Sequence, residues 1–204
     1  MITLFILLVI AYLVGSIPTG FLFCRYFFNL DITKHGSGNI GASNVARVLG
    51  KKYFLIIFLI DAFKAWVVVS GGMFLCSIAA CSLAATHVGY LLAFAVLIGN
   101  AYSVFLNFGG GKGVASTVGI IAALLPQLFV VCFMGCWLLM WVITKQPFIA
   151  SLMALCIVMV GNYYWPTDVS MMFLGAVWLW VVMRHCSNLR AWYTLQVRLL
   201  ANTR

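Results

Sequence analysis

The residues able to do chemistry in this 204-residue sequence gather in short clusters separated by long apolar runs. The first cluster reads Gly36-Ser37-Gly38-Asn39-Ile40-Gly41-Ala42-Ser43-Asn44, followed by Arg47. Glycines let backbone N–H groups converge on an anion, hydroxyls and amides add donors, and an arginine adds fixed positive charge, so the run suits an oxyanion or phosphate nest. The same residues match the GxGxxG spacing of dinucleotide-binding turns, with Asp61 near the position of a ribose-binding acid. That fingerprint requires a preceding strand in an open α/β sheet. Here an apolar run precedes it, which excludes the dinucleotide reading and leaves a phosphate nest or an ordinary flexible turn.

The second cluster is Gly109-Gly110-Gly111-Lys112-Gly113. It is not a Walker A loop, because Gly113 stands where that loop needs Ser or Thr. Its physics is nonetheless similar: glycines admit a phosphate to the backbone, Lys112 supplies a point charge, and the helix expected next points its positive end at the site. A glycine-rich turn with a snorkelling lysine is the alternative. The third cluster is Arg184-His185-Cys186-Ser187-Asn188 with Arg190. His185 and Asn188 share one face if a helix continues through them; an interfacial anchor is the plainer reading. His35 is a loop residue with no evident partner, and His87, within an apolar run, reads as a polar helix contact. Nothing in the spacing of the three histidines or seven cysteines suggests a metal site or a cofactor. Each cysteine reads as a small buried hydrophobe.

The elements that must position these clusters are membrane helices. Hydrophobic residues make up 65% of the chain, charged ones 7%, and the mean hydropathy is +1.14, values of an all-α integral membrane protein. Apolar runs over 2–23, 53–71, 74–99, 114–125, 127–144, 148–165 and 168–183 predict about seven transmembrane helices in a single polytopic domain over 1–204. The first run lacks a basic leader and reads as a retained span. Pro126, Pro147 and Pro166 mark turns between the later spans. Every Lys and Arg except Lys64 then falls on one face, which places the N-terminus outside and the C-terminus in the cytoplasm. Lys64 lies three residues after Asp61 inside a span, where the two charges can neutralise each other.

The charge balance narrows the chemistry. Twelve Lys and Arg stand against three acids, Asp31, Asp61 and Asp168, with no glutamate. Paired-carboxylate catalysis and a carboxylate-held Mg²⁺ are thereby excluded, and no nucleic-acid partner is expected. A site of glycine nests, Arg47, Lys112 and His185 on the cytoplasmic face must work by positioning and charge stabilisation. Its natural clients are a phosphorylated solute from the cytoplasm and a lipidic partner from the bilayer. A transporter for phosphorylated solutes, or a non-catalytic binder of lipid headgroups, uses similar residues.

The sequence resembles the bacterial membrane acyltransferases that use acyl phosphate to acylate glycerol 3-phosphate, the PlsY family. The likeness runs from Gly15-Ser16-Ile17-Pro18-Thr19-Gly20 through Gly36-Ser37-Gly38-Asn39, Asn44-Val45 and Arg47. It resumes at Phe108 to Val114 and ends with His185 and Asn188. The resemblance implies a seven-span protein of the bacterial inner membrane, with its active site facing the cytoplasm. The reaction implied is transfer of a fatty acyl group from acyl phosphate to the 1-hydroxyl of glycerol 3-phosphate, giving lysophosphatidic acid and phosphate. It assigns Gly36, Ser37, Gly38, Asn39 and Ser43 to the acyl-phosphate group, and Arg47 and Lys112, within the nest of Gly110, Gly111 and Gly113, to both phosphates. His185 and Asn188 orient glycerol 3-phosphate, and Ser151 joins the substrate contacts. No cofactor is implied. A substrate phosphate takes the hydroxyl proton, and an upstream enzyme supplies the acyl phosphate. This chain departs from the family pattern at Ile40 (often Pro), Ser43 (Thr), Ala65 (Gly), Asn100 (His), Gly109 (a base) and Phe148 (Ser), and in its C-terminal tail.

Overall fold

The computed structural model describes residues 2–79 and 83–201, and among them the regular structure is entirely helical. Helices α1 (Ile2–Ser16) and α2 (Thr19–Phe28) meet at a 42° bend. A short α3 (Ala42–Leu49) leads into the long α4 (Lys52–Ile78), then α5 (Ala85–Ala101) and α6 (Val114–Leu124). α7 (Gln127–Thr144), α8 (Pro147–Tyr164), α9 (Met171–Arg184) and α10 (Cys186–Ala201) complete the order.

Among the described residues, α4, α7, α8 and the segment Ala85–Leu106 that begins with α5 are long and apolar enough to cross a bilayer, and the bent α1–α2 pair makes a fifth crossing if counted as one span. The apolar α6 and α9 have 11 and 14 residues, short of the roughly 20 that a full crossing needs. Two of the expected runs have different limits. The run over 2–23 is broken because Pro18 has no N–H to continue the ladder, and the chain turns into α2. The run expected to begin at residue 74 belongs instead to α4, which continues to Ile78, and α5 begins at Ala85. The break expected between the runs ending at 71 and starting at 74 is helical, and Gly72 serves packing there: a methyl on it would lie 2.4 Å from Leu92 Cδ1 on α5. The prolines behave as expected, with Pro126 immediately before α7 and Pro147 as the first residue of α8.

α5 is the most buried of the four long helices and α7 the least. Val88, Leu92, Val96 and Leu97 of α5 are fully buried at the centre of the apolar cluster. Small residues let the neighbours of α5 approach backbone to backbone, the mode of helix association that works without a hydrophobic driving force. A Cβ on Gly99 would sit 2.2 Å from Tyr12 O, and one on Gly15 would sit 2.5 Å from Val96 O. Ser103 Oγ donates to Ser16 O at 2.6 Å across the same seam. α4 and α6 meet likewise, Gly119 lying against Ala62 O. The Asp61–Lys64 ion pair expected from the sequence is formed at 2.7 Å.

The cysteines depart from the uniform reading. Cys24 is buried and free, Cys76 is buried but disulfide-bonded, and Cys132 and Cys186 are exposed. In a membrane protein an apolar side chain need not face inward, because lipid accepts it on the outer surface. Cys81 and Arg204 lie outside the described residues.

The α1–α5 seam makes Gly99 intolerant of a methyl group. Gly99→Ala is expected to lower stability by about 1–3 kcal/mol through overpacking, measured as thermal unfolding in detergent. Gly71→Ala, where nothing lies within 4 Å of the added carbon, should be neutral or slightly stabilising in the same assay.

Candidate active site

The first glycine loop is tied together by one buried side chain, Asn44. Its Oδ1 accepts from the Ser37 backbone N–H at 2.8 Å, and its Nδ2 donates to His35 O at 3.0 Å and Asn39 O at 2.8 Å. Gly36 and Gly38 take positive φ of 60° and 70°, which glycine adopts without strain. At Gly36 a Cβ would also collide with Asn44 Oδ1 at 2.3 Å. Asn39 Oδ1 accepts from Gly41 N–H at 2.8 Å, turning the chain into α3. No side chain caps that helix, so its first N–H groups stay available to an anion. Arg47, one turn on, donates weakly through Nη1 to Asn44 Oδ1 at 3.4 Å.

The second loop is held from below and from the side. Gly111 N–H donates to Asn100 O at 2.7 Å, and Ser103 N–H donates to Gly109 O at 3.0 Å. Arg184, at the end of α9, donates through Nη2 to Gly111 O at 3.0 Å and Ala101 O at 3.3 Å. Its guanidinium also lies 5.0 Å over the Tyr102 ring. Gly113 then turns with φ 81° into α6, again without a side-chain cap. Lys112 is thereby fixed between a clamped carbonyl and a helix N-terminus. Its Nζ donates to Asn188 Oδ1. Burial lowers the Lys112 pKa, and the positive charges of Arg184 and Arg47 lower it further, whereas an incoming anion would raise it.

His185 is where the expected common helical face breaks. It ends α9 with φ −105° and ψ 4°, and α10 starts at Cys186. Nδ1 lies 2.8 Å from Val181 O. A carbonyl can only accept, so Nδ1 carries the proton and Nε2 is left as an acceptor. The ring is buried and stacked on Phe148, with centroids 6.3 Å apart. Burial, with smaller contributions from Lys112 and Arg184, lowers the His185 pKa to about 4, against an opposing effect of the Val181 bond. The imidazole is therefore neutral at physiological pH.

The three clusters meet around one cavity of about 150 Å³. Its polar wall carries Ser37, Asn39, Ser43, Arg47, Lys112, His185 and Asn188, together with Gly111 and Gly113. Its apolar wall is aromatic: Phe54, Phe58, Trp137 and Phe148. Phe54 stacks on both Phe58 and Trp137, at 5.6 and 5.5 Å. One end suits phosphate and hydroxyl groups and the other suits a hydrocarbon chain.

The family model described as glycerol-3-phosphate acyltransferase matches residues 5–194. The chain belongs to this family. Curated relatives with the same description include those of Macrococcus caseolyticus, 32% identical with 91% of each chain covered, and Synechococcus elongatus, 36% identical with 88% of this chain and 86% of the relative covered. The relative in Carboxydothermus hydrogenoformans is 37% identical, with 89% and 88% covered. Among solved structures, the fold is similar to the glycerol 3-phosphate form of PlsY (YgiH), an integral membrane glycerol 3-phosphate acyltransferase. The TM-score is 0.81 and the identity 27%, over 94% of this chain and 92% of that one. The lysophosphatidic acid form of PlsY aligns with a TM-score of 0.78 at 26% identity and the same coverage.

Compared with what the sequence suggested for an acyltransferase of this family, the cavity sorts the residues further. Gly36, Gly38 and Gly110 shape the loops without lining the cavity. Ser151 lines it, but its hydroxyl is already engaged, donating to Pro147 O at 2.8 Å and accepting from Trp137 Nε1 at 3.1 Å. Asn44 and Arg184, not singled out as site residues, are the clamps of the two loops. Asn44 stood in the first motif; Arg184 carried no signal beyond adjacency to His185, because its contacts lie far back in the chain. At two departures from the family pattern the structure shows a distinct contact: Phe148 covers His185, and Asn100 sits beneath Gly111 with Oδ1 unpartnered.

The depressed His185 pKa fixes the sign of its pH effect. The unfolded imidazole binds a proton near 6.5 and the folded one near 4, so its stabilising contribution is complete above pH 6.5 and is lost as pH falls towards 4. The difference in unfolding temperature between wild type and His185→Phe should shrink over that window. A difference constant from pH 7.5 to 4.5 overturns the assignment of a buried neutral imidazole.

Proposed function

We propose that the protein transfers a fatty acyl group from acyl phosphate to the 1-hydroxyl of glycerol 3-phosphate, releasing lysophosphatidic acid and inorganic phosphate. The observation that carries this reading is the single cavity in which two glycine nests and a charge-crowded Lys112 face an aromatic wall. Gly36, Ser37, Gly38, Asn39 and Ser43, with the uncapped start of α3, hold the acyl-phosphate group. Arg47 and Lys112, in the nest of Gly110, Gly111 and Gly113, stand between the two phosphates. The acyl chain lies along Phe54, Phe58 and Trp137, with Ser151 bracing that wall through Trp137. Asn188 releases Lys112 as substrate enters and, with His185, orients glycerol 3-phosphate, the His185 Nε2 accepting from a glycerol hydroxyl.

In the reaction the glycerol oxygen attacks the acyl carbonyl carbon, and the bond from that carbon to the phosphate oxygen breaks. The hydroxyl proton passes to a substrate phosphate. Asp61 lines the cavity but is paired with Lys64, and the neutral His185 is a weak base, which supports a substrate-assisted transfer. Lys112, Arg47 and backbone donors stabilise the charge that develops on the carbonyl and leaving phosphate. The α1–α2 pair, α4 to α9 and the distribution of bases fit seven crossings of the bacterial inner membrane as one domain over 1–204. The N-terminus is outside and the C-terminus and site are cytoplasmic. Acyl phosphate comes from an upstream enzyme at that face.

Purified protein given acyl phosphate and labelled glycerol 3-phosphate should release lysophosphatidic acid. Lys112→Ala should lower kcat/KM by about 100-fold or more, and Cys186→Ala should leave it near wild type. Absence of product where a control acyltransferase turns over overturns the reaction. For orientation, Asn107→Cys on a background lacking Cys132 and Cys186 should react with an impermeant maleimide only from the cytoplasmic side; labelling from outside reverses the topology.

A further inference from the structure

The α1–α2 break carries more polar machinery than a proline kink requires. Pro18 already ends the ladder, and Thr19 N–H returns to Ile17 O at 3.0 Å. Yet both intramembrane charges converge there. Lys64 Nζ donates to the same Ile17 O at 2.8 Å and pairs with Asp61 Oδ1 at 2.7 Å. That carboxylate oxygen also accepts from Thr19 Oγ1 at 2.8 Å. Charges inside a span are costly unless they pair and serve a purpose.

The purpose follows from the next residue. Gly20, in the first turn of α2, has its backbone against the first glycine loop: a Cβ there would lie 2.0 Å from Ile40 O and 3.1 Å from Val45 Cγ2. Ile40 lines the cavity and immediately precedes Gly41, the residue that starts α3. The route from α4 is therefore short: Asp61 and Lys64 to Thr19 and Ile17, then Gly20 to Ile40, then the open N-terminus of α3. We infer that Asp61, Lys64 and Thr19 form a positioning unit that sets where the first glycine loop presents its donors. The inference rests on the reading that this loop holds the acyl-phosphate group. It makes Thr19 a positioning residue for the acyl donor, acting through the loop and not through contact with substrate.

Misplacement of donors by a fraction of an ångström is costly to catalysis. Thr19→Val keeps the side-chain shape and removes the hydrogen bond to Asp61. It should raise KM for acyl phosphate by about tenfold while KM for glycerol 3-phosphate stays within about twofold. Thr19→Ser, which restores the donor, should return both to wild type. Should Thr19→Val not purify as a folded species, Asp61→Asn, close in shape but without the charge, should give the same split. A Thr19→Val enzyme with wild-type constants, or one in which both KM values rise together, or lack of rescue by serine, overturns the positioning unit while leaving acyl transfer intact. A wild-type protein that makes no lysophosphatidic acid overturns the acyl-transfer reading itself, and the inference with it.

Discussion

Where the backbone leaves helical geometry in a partly buried loop, other groups of the protein must receive the freed N–H and C=O groups. The site depends on that constraint. Each glycine loop is seated by a small number of internal bonds, and those bonds leave a separate set of donors free. In the first loop Asn44 takes the Ser37 N–H and supports the His35 and Asn39 carbonyls. In the second, Asn100 O takes the Gly111 N–H while Arg184 takes the Gly111 and Ala101 carbonyls. No side chain claims the first turn of α3 or of α6. The loops are rigid where they meet the protein and open where they face the cavity.

Electrostatics follows from the same scarcity of partners. Lys112, Arg47 and Arg184 crowd one region, and the cavity's carboxylate, Asp61, is held by Lys64. A cluster of like charges half removed from water is unfavourable on its own. An anion bound among these cations would relieve that repulsion. His185 fits this scheme as a neutral group: a second titrating cation beside Lys112 would add repulsion, whereas an imidazole with Nδ1–H committed to Val181 O offers an acceptor to a hydroxyl.

Much of this was legible in the sequence because it is local. The glycine clusters announced anion nests by composition, and Pro126 and Pro147 announced helix starts by their missing N–H. The ion pair three residues apart in α4 was readable from helical geometry alone. What escaped was long-range or depended on the solvent. The clamp on the second loop comes from Arg184, on a helix whose place beside the loop no local pattern encodes. The break expected between the runs ending at 71 and starting at 74 is instead helical, α4 running on to Ile78 with Gly72 packed against Leu92 of the neighbouring helix. The cysteines read as small buried hydrophobes, yet Cys132 and Cys186 are exposed, because the apolar runs do not encode which side of a helix faces the protein.

The departures from the family pattern are best understood through the division of the cavity into a polar and an aromatic wall. Phe148 lies at the boundary, lining the cavity and stacking on His185. A serine there would add a hydroxyl next to the imidazole and admit water to it. Phe148 is one of the groups that bury the imidazole, and burial is the largest cause of the depressed His185 pKa. On the same wall, Trp137 bridges Ser151 to Phe54, so the helix pair α7–α8 and the long α4 share one aromatic surface. Phe148 thus carries the aromatic surface of Phe54, Phe58 and Trp137 up to the imidazole.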